Sequence, residues 1–214
     1  MNADKDIPQI LNDGNTACWY DATDVSTITK DVDGYVSKID DISGNNRSLS
    51  QATSTKKPKH SINGLEFLRS SDVLKSSSFT LIQPLSYYVV MKFNARGTSY
   101  VFDGYSADSC GFHISGGTEN MYAGTNVSRS DSDNYENRIQ RLVANGTSSS
   151  ITKAELQPST GNAGTRNPNG FALGSNYAGY SALMYVKEVI VRKVHDTAED
   201  SLIIYNYLKT KHGI

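Results

Sequence analysis

Short apolar runs, broken at intervals of roughly 8–12 residues by Gly, Asn, Asp, Pro and Ser, fill most of the chain, and that spacing is the pattern of an antiparallel β-sandwich. Thr16-Ala17-Cys18-Trp19-Tyr20, Tyr35 to Ile39, Gly64 to Leu68, Tyr100 to Phe102 and Gly111 to Ile114 read as strands. Tyr87 to Phe93 is apolar on both faces at its centre, which places it in the middle of a sheet, and Leu183 to Arg192 has the same character. Weaker strands are expected at Asn137 to Val143, Ser149 to Leu156 and Gly170 to Gly174. Two long loops are expected, at Asn120 to Asn137 and Gln157 to Asn169. Loops of that length on a rigid sandwich are where binding residues concentrate.

The period changes once. From Ala198 the apolar positions Ala198, Leu202, Tyr205 and Leu208 recur at helical spacing, with Ile203 and Ile204 widening the stripe. Asp196 with Glu199, or Thr197 with Asp200, can form a capping box at its start. Lys209, Lys211 and His212 suit the negative end of the helix dipole, and Gly213 is a stop. The stripe must lie against a sheet. The expectation is an all-β, two-sheet antiparallel sandwich with one C-terminal α-helix packed on it. The 214 residues suit one large domain, 1–214, with 1–14 as a partly ordered lead-in.

Bulk properties exclude several classes. The net charge is −1 and the cations are scattered, so no nucleic-acid partner is expected. No apolar run approaches the roughly 18 residues of a membrane span. The first six residues are polar, so no signal peptide is expected in this chain. There are 2 cysteines, Cys18 and Cys110, and no CxxC pair, which removes zinc and thioredoxin-like chemistry. Cys18 beside Trp19 reads as a buried thiol. Its pairing with Cys110 stays open.

The segments Trp19-Tyr20-Asp21-Ala22-Thr23-Asp24, Val36 to Asn46, Gln51-Ala52, Lys57-Pro58 and Ile62-Asn63-Gly64-Leu65 run in an order that resembles the concanavalin A-like, laminin-G-like jelly-roll domains of bacterial surface proteins and of bacteriophage tail or virion proteins. The C-terminal Tyr207 to Ile214 is similar to the closing helix of many of them, with His212 where Trp is usual. The resemblance covers both ends and is diffuse between them. It implies a jelly-roll sandwich with a broad face often used for carbohydrate, sometimes with calcium. It also implies residence on a virion or extracellular surface, and a core role for Trp19.

Fold alone does not fix function. Laminarinase-like glycosidases carry Glu-x-Asp-x-x-Glu on one strand, and none of Glu66, Glu119, Glu136, Glu155, Glu188 or Glu199 has Asp two residues later. The Arg-x-Glu and Gln-x-His strands of jelly-roll lyases are absent too, although His113, Tyr122 and Arg138 could imitate such a set. No Gly-x-Ser-x-Gly elbow or phosphate loop occurs. Asp31-Val32-Asp33-Gly34 and Asp131-Ser132-Asp133-Asn134 are calcium candidates that read more readily as turns.

Sugar binding asks only for an aromatic face with amides, carboxylates or Arg around it. The 13 tyrosines suit strands in general. Those in or near loops, with their polar neighbours, form the candidate ligand set: Tyr105, His113, Tyr122, Tyr135, Arg138, Asn176, Tyr177 and Tyr180. The sequence therefore favours a non-catalytic carbohydrate-binding or host-cell attachment domain whose partner is a surface glycan or polysaccharide. The alternatives are a structural virion module contacting other virion proteins or further copies of itself, and a jelly-roll lyase or glycoside hydrolase.

Overall fold

The computed structural model describes residues 7–94, 99–105, 110–130, 136–176, 179–180 and 182–214, and these form two antiparallel sheets and one long helix. The eight-stranded back sheet runs in the order Ser159–Gly161, Ser149–Lys153, Arg138–Ala144, Leu85–Phe93, Met184–Arg192, Gly64–Phe67 and Lys59–Ser61. Thr16–Asp21 also pairs with Met184–Arg192. The nine-stranded front sheet runs in the order Asn126–Ser130, Thr118–Tyr122, Gly111–Ser115, Ser99–Asp103, Ala172–Leu173, Leu74–Lys75, Leu49–Ser50, Val36–Ile39 and Ile28–Lys30. The expected two-sheet sandwich with a C-terminal helix is the observed architecture.

The strands that read as apolar on both faces are covered on both. In Leu85–Phe93, Tyr87, Val89, Met91 and Phe93 point between the sheets, with Val189 and Val191 of the neighbouring strand. Tyr88, Val90 and Ile190 point outward into a second cluster under the helix Ala198–His212, together with Trp19, Leu11 and Ile139. Helix residues Ile204, Tyr205 and Leu208 fill that cluster. The stripe expected from the sequence is therefore rotated: Ala198 faces water and Leu202 is 53% exposed, because the sheet meets the side carrying residues 204 and 208.

Polar groups fix where the helix lies. Thr197 caps the helix, its hydroxyl accepting from the Asp200 amide at 3.1 Å and donating to the Asp200 carboxylate at 2.9 Å. Gly213 closes the other end at φ 66°. Buried Glu188 accepts from Trp19 Nε1 at 2.6 Å and Lys211 Nζ at 2.8 Å, and its other contact is His212 Nε2 at 2.6 Å. His212, at the position where the resembled domains carry Trp, thus binds the helix to the sheet through a carboxylate.

Asp196, the other candidate cap, belongs to a different cluster. It accepts from Arg192 Nε at 2.7 Å and from the Tyr88 hydroxyl at 2.9 Å. Arg192, almost fully buried, also donates to Ile10 O at 2.6 Å and Asp13 Oδ2 at 2.9 Å. These bonds, with buried Leu11, hold residues 7–14 against the back sheet.

The residues that carry the family resemblance are occupied with packing. Asp41 accepts from the amides of Trp19 (2.9 Å), Ser43 (3.0 Å) and Arg47 (2.9 Å). Asn45 and Arg47 donate to carbonyls of the first strand, Ala17 O among them. Asp31 caps its own turn by accepting from the Asp33 and Tyr35 amides, as a turn former does. The second calcium candidate, Asp131 to Asn134, lies outside the described residues. Cys18 and Cys110 are both buried free thiols, and burial pushes each up to about 12.

Burial opposes the charge on Asp13, but the bonds from Arg192 and Asn15 outweigh it and hold the carboxyl at about 2, below its ordinary 3.8. A depressed folded value means the stability this group carries is complete above 3.8 and drains as pH falls through about 2. In urea titrations, Asp13→Asn should be less stable than the parent chain at neutral pH, and the gap should close between about pH 5 and pH 2. Arg192→Met should cost about 3–5 kcal/mol at pH 7, because it leaves buried Asp196 without its cation.

Candidate functional site

The helix lies on the outer face of the back sheet, and the candidate site lies on the outer face of the front sheet. Its geometry follows from strand alternation. Phe112 and Ile114 enter the core, so His113 between them faces out. On the next strand the register slips by one residue: Phe112 pairs with Phe102 but His113 pairs with Tyr100. This bulge sends both Val101 and Phe102 into the core and leaves Tyr100 beside His113 on the outside. The two rings stack at 4.8 Å between centroids and 26° between planes.

The row extends in both directions. Tyr180, 62% exposed, lies 6.5 Å from Tyr100 at an interplanar angle of 37°. Asn176 holds Tyr180 from below: its Oδ1 accepts the Tyr180 amide at 2.9 Å, and its own amide donates to Tyr180 O at 3.1 Å. On the other side, His113 pairs across strands with Asn120, and Asn120 with Ser128. Asn120 Oδ1 accepts from the Ser128 hydroxyl at 2.7 Å, and its Nδ2 donates to Thr118 O at 2.9 Å, so the amide is fixed in orientation. The result is a ladder of three rings continued by an amide and a hydroxyl. Burial lowers the pKa of His113 from its ordinary 6.5, so its ring is neutral at pH 7.

Of the residues expected from sequence to bind ligand, His113 and Tyr180 belong to this ladder and Asn176 supports it. Tyr122 is on the same face one register step away, half-buried beside the Arg166 guanidinium at 5.7 Å. Tyr105 is 41% exposed and stands apart, its Cβ packed over Gly170. Tyr135 and Tyr177 lie outside the described residues.

Arg138 is a correction. It points between the sheets, buried, in an ion pair with Glu119 and 5.0 Å over the Phe93 ring. Alternation along Arg138–Ala144 sends Arg138, Gln140 and Leu142 inward and leaves Arg141 outside. His113, Tyr122 and Arg138 therefore do not converge into a lyase-like set.

The sequence reading missed Tyr100, Asn120 and Ser128. The last two were assigned to a loop from Asn120 to Asn137, but Thr118–Tyr122 and Asn126–Ser130 are strands. The available signal was Gly116-Gly117, a two-residue hairpin turn with both φ values positive, at 58° and 80°. The other long loop, 157–169, contains the short strand Ser159–Gly161 and borders an open cleft of about 550 Å³ with Asn145, Thr147 and Ile82. Gln83 braces that end, accepting from the Gly146 amide and donating to Gly164 O and Arg166 O. Among the described residues no group of three or more His, Cys, Asp or Glu converges to hold a metal.

No protein-family model and no curated protein sequence matches the chain. Solved structures share its fold. They include the Trypanosoma rangeli sialidase in complex with sialic acid, with a TM-score of 0.63 and 12% identity over 91% of this chain. An arabinofuranosidase complexed with arabinofuranosyl-α-1,2-xylobiose gives 0.61 and 10% over 81%. Botulinum neurotoxin type C, which depends on interaction with two ganglioside molecules to enter cells, gives 0.59 and 10% over 92%. The chain spans 33% of the sialidase, 50% of the arabinofuranosidase and 52% of the toxin chain. At these identities the likeness is one of fold.

The ladder and the core pair separate in a stability measurement. Tyr180→Ala, at an exposed position, should change the unfolding free energy by less than about 0.5 kcal/mol. Arg138→Leu should cost about 3–5 kcal/mol, since it removes the buried cation paired with the fully buried Glu119. Urea denaturation of both variants reads the difference.

Proposed function

We propose that this chain is a carbohydrate-binding domain that engages glycans on the outer face of its front sheet, without catalysing their cleavage. The observation that carries the reading is the Tyr180–Tyr100–His113 ladder continued by Asn120 and Ser128. Ring surfaces meet the apolar side of a pyranose, and the exposed Ser128 hydroxyl, oriented by the buried Asn120 amide, meets its hydroxyls. The strands hold these groups in place before any ligand arrives, which limits the entropy lost on binding.

The structural neighbours support the reading: a sialidase, an arabinofuranosidase and a ganglioside-dependent toxin all deal with sugars. Two of the three are enzymes by name, so glycoside cleavage is the second reading. The described buried glutamates argue against it, because Glu119 is bound to Arg138 and Glu188 to Trp19, Lys211 and His212, and neither faces the ladder. The ordered resemblance of both chain ends to surface and virion jelly-roll domains supports attachment of a virion or cell surface to a glycan as the setting.

A glycan array probed with the whole chain should give a defined set of bound saccharides, and Tyr100→Ala and Tyr180→Ala should each weaken binding about tenfold or more. Binding unchanged in both variants would remove the ladder as the site. Release of free sugar from a bound glycan would favour the enzymatic reading.

A further inference from the structure

One atom of the ladder is out of keeping with the rest. His113 Nδ1 is sealed from solvent and has no hydrogen-bond partner. Among the described residues the other ring nitrogen, Nε2, has no hydrogen-bond partner, and it is not among the sealed, unpartnered atoms. A neutral imidazole carries one N–H and one bare nitrogen, and the surroundings decide which is which. A buried N–H with no acceptor forfeits a strong donor, whereas a bare lone pair in the same place is the more tolerable loss. An N–H at Nε2 can be met by water or by a ligand.

We propose that His113 is held as the neutral Nε2–H tautomer and acts as the specificity-determining donor of the front face, selecting ligands that present an uncharged acceptor, the hydroxyl or ring oxygen of a neutral pyranose. This rests on the glycan reading of the same face. Among the described residues, the groups that face the ring are Tyr100, stacked on it, with Tyr180 beyond, and Asn120 across the strand with Ser128 behind. The two tyrosines are the titratable groups among them. Among the described residues no ion pair involves His113.

A histidine that takes a second proton meets an anionic sugar with a full positive charge. Here that proton would have to sit on Nδ1, sealed and without an acceptor, so the ring is poorly suited to reward a carboxylate. Burial, which already lowers the pKa of this ring, works in the same direction. The stacked Tyr100 fixes the plane of the imidazole and so fixes the direction in which Nε2–H points.

Long-range nitrogen–proton correlation spectra of the free protein at neutral pH read the tautomer directly. Protonated Nε2 with bare Nδ1 is expected, and a protonated Nδ1 would overturn the assignment whatever the protein binds. Titration with methyl glucoside, methyl galactoside, methyl mannoside and N-acetylneuraminic acid tests the second half. The His113 resonances should move with at least one neutral pyranoside, with affinity changing less than about twofold between pH 8 and pH 6.5. His113→Phe, which keeps an aromatic ring but loses the donor, should weaken that binding about tenfold, and His113→Gln should recover part of it. Equal binding by the Phe variant would defeat the donor role. Preference for N-acetylneuraminic acid, growing as pH falls, would defeat the choice of a neutral ligand. If no pyranoside binds while Nε2 is protonated, the glycan reading and the donor role fail together and the tautomer survives.

Discussion

Two strands that are apolar on both faces set the rest of the arrangement. Leu85–Phe93 and Met184–Arg192 pair along their whole lengths, so one side of this ribbon must meet the other sheet and the other side must be shielded as well. Each large side chain fully removed from water contributes roughly 1.5–3 kcal/mol, and Tyr88, Val90 and Ile190 would forfeit that if the outer side stayed wet. The helix, Trp19 and Leu11 supply the shield. Once they lie there, the centre of the back sheet is covered, and the row of rings stands on the outer face of the front sheet.

The polar groups buried with this core decide orientation more than they add stability. Glu188 gathers an indole, an ammonium and an imidazole around one carboxylate, which permits only one docking angle for the end of the helix. Glu119 and Arg138 do the comparable thing between the sheets, joining Thr118–Tyr122 of the front to Arg138–Ala144 of the back. Buried pairs of this kind cost desolvation that an apolar pair would avoid. Here they mark how the two layers are aligned, and the alignment places the strand bearing His113 next to the bulge that exposes Tyr100.

The sandwich, the central strands and the closing helix were legible because they depend on period and on turn residues, which a single chain displays. The rotation of the helix stripe was not, because Leu202 and Ile204 are equally apolar and only the sheet chooses between them. Arg138 was misplaced for a related reason: a cation in a run of alternating character is assigned to water by default, and the buried carboxylate of Glu119 that pairs with it lies 19 positions away in the chain. The ladder was half legible. His113 and Tyr180 were conspicuous as residue types, but Tyr100 faces outward only because of a register slip that no local pattern announces. Asn120 and Ser128 lie in strands too polar to be read as such, although Gly116-Gly117 signalled the hairpin that joins their sheet to His113.

Leu11 near one end and Ile214 at the other both pack into the cluster beneath the helix. Both segments thus lie on the back of the sandwich, while the rings of Tyr180, Tyr100 and His113 look the other way. Anything docked on that side would leave the face with the rings uncovered, like a hand held palm outward. On the proposed glycan reading, copies held that way would turn the same face to one surface, where individually weak contacts multiply through effective concentration.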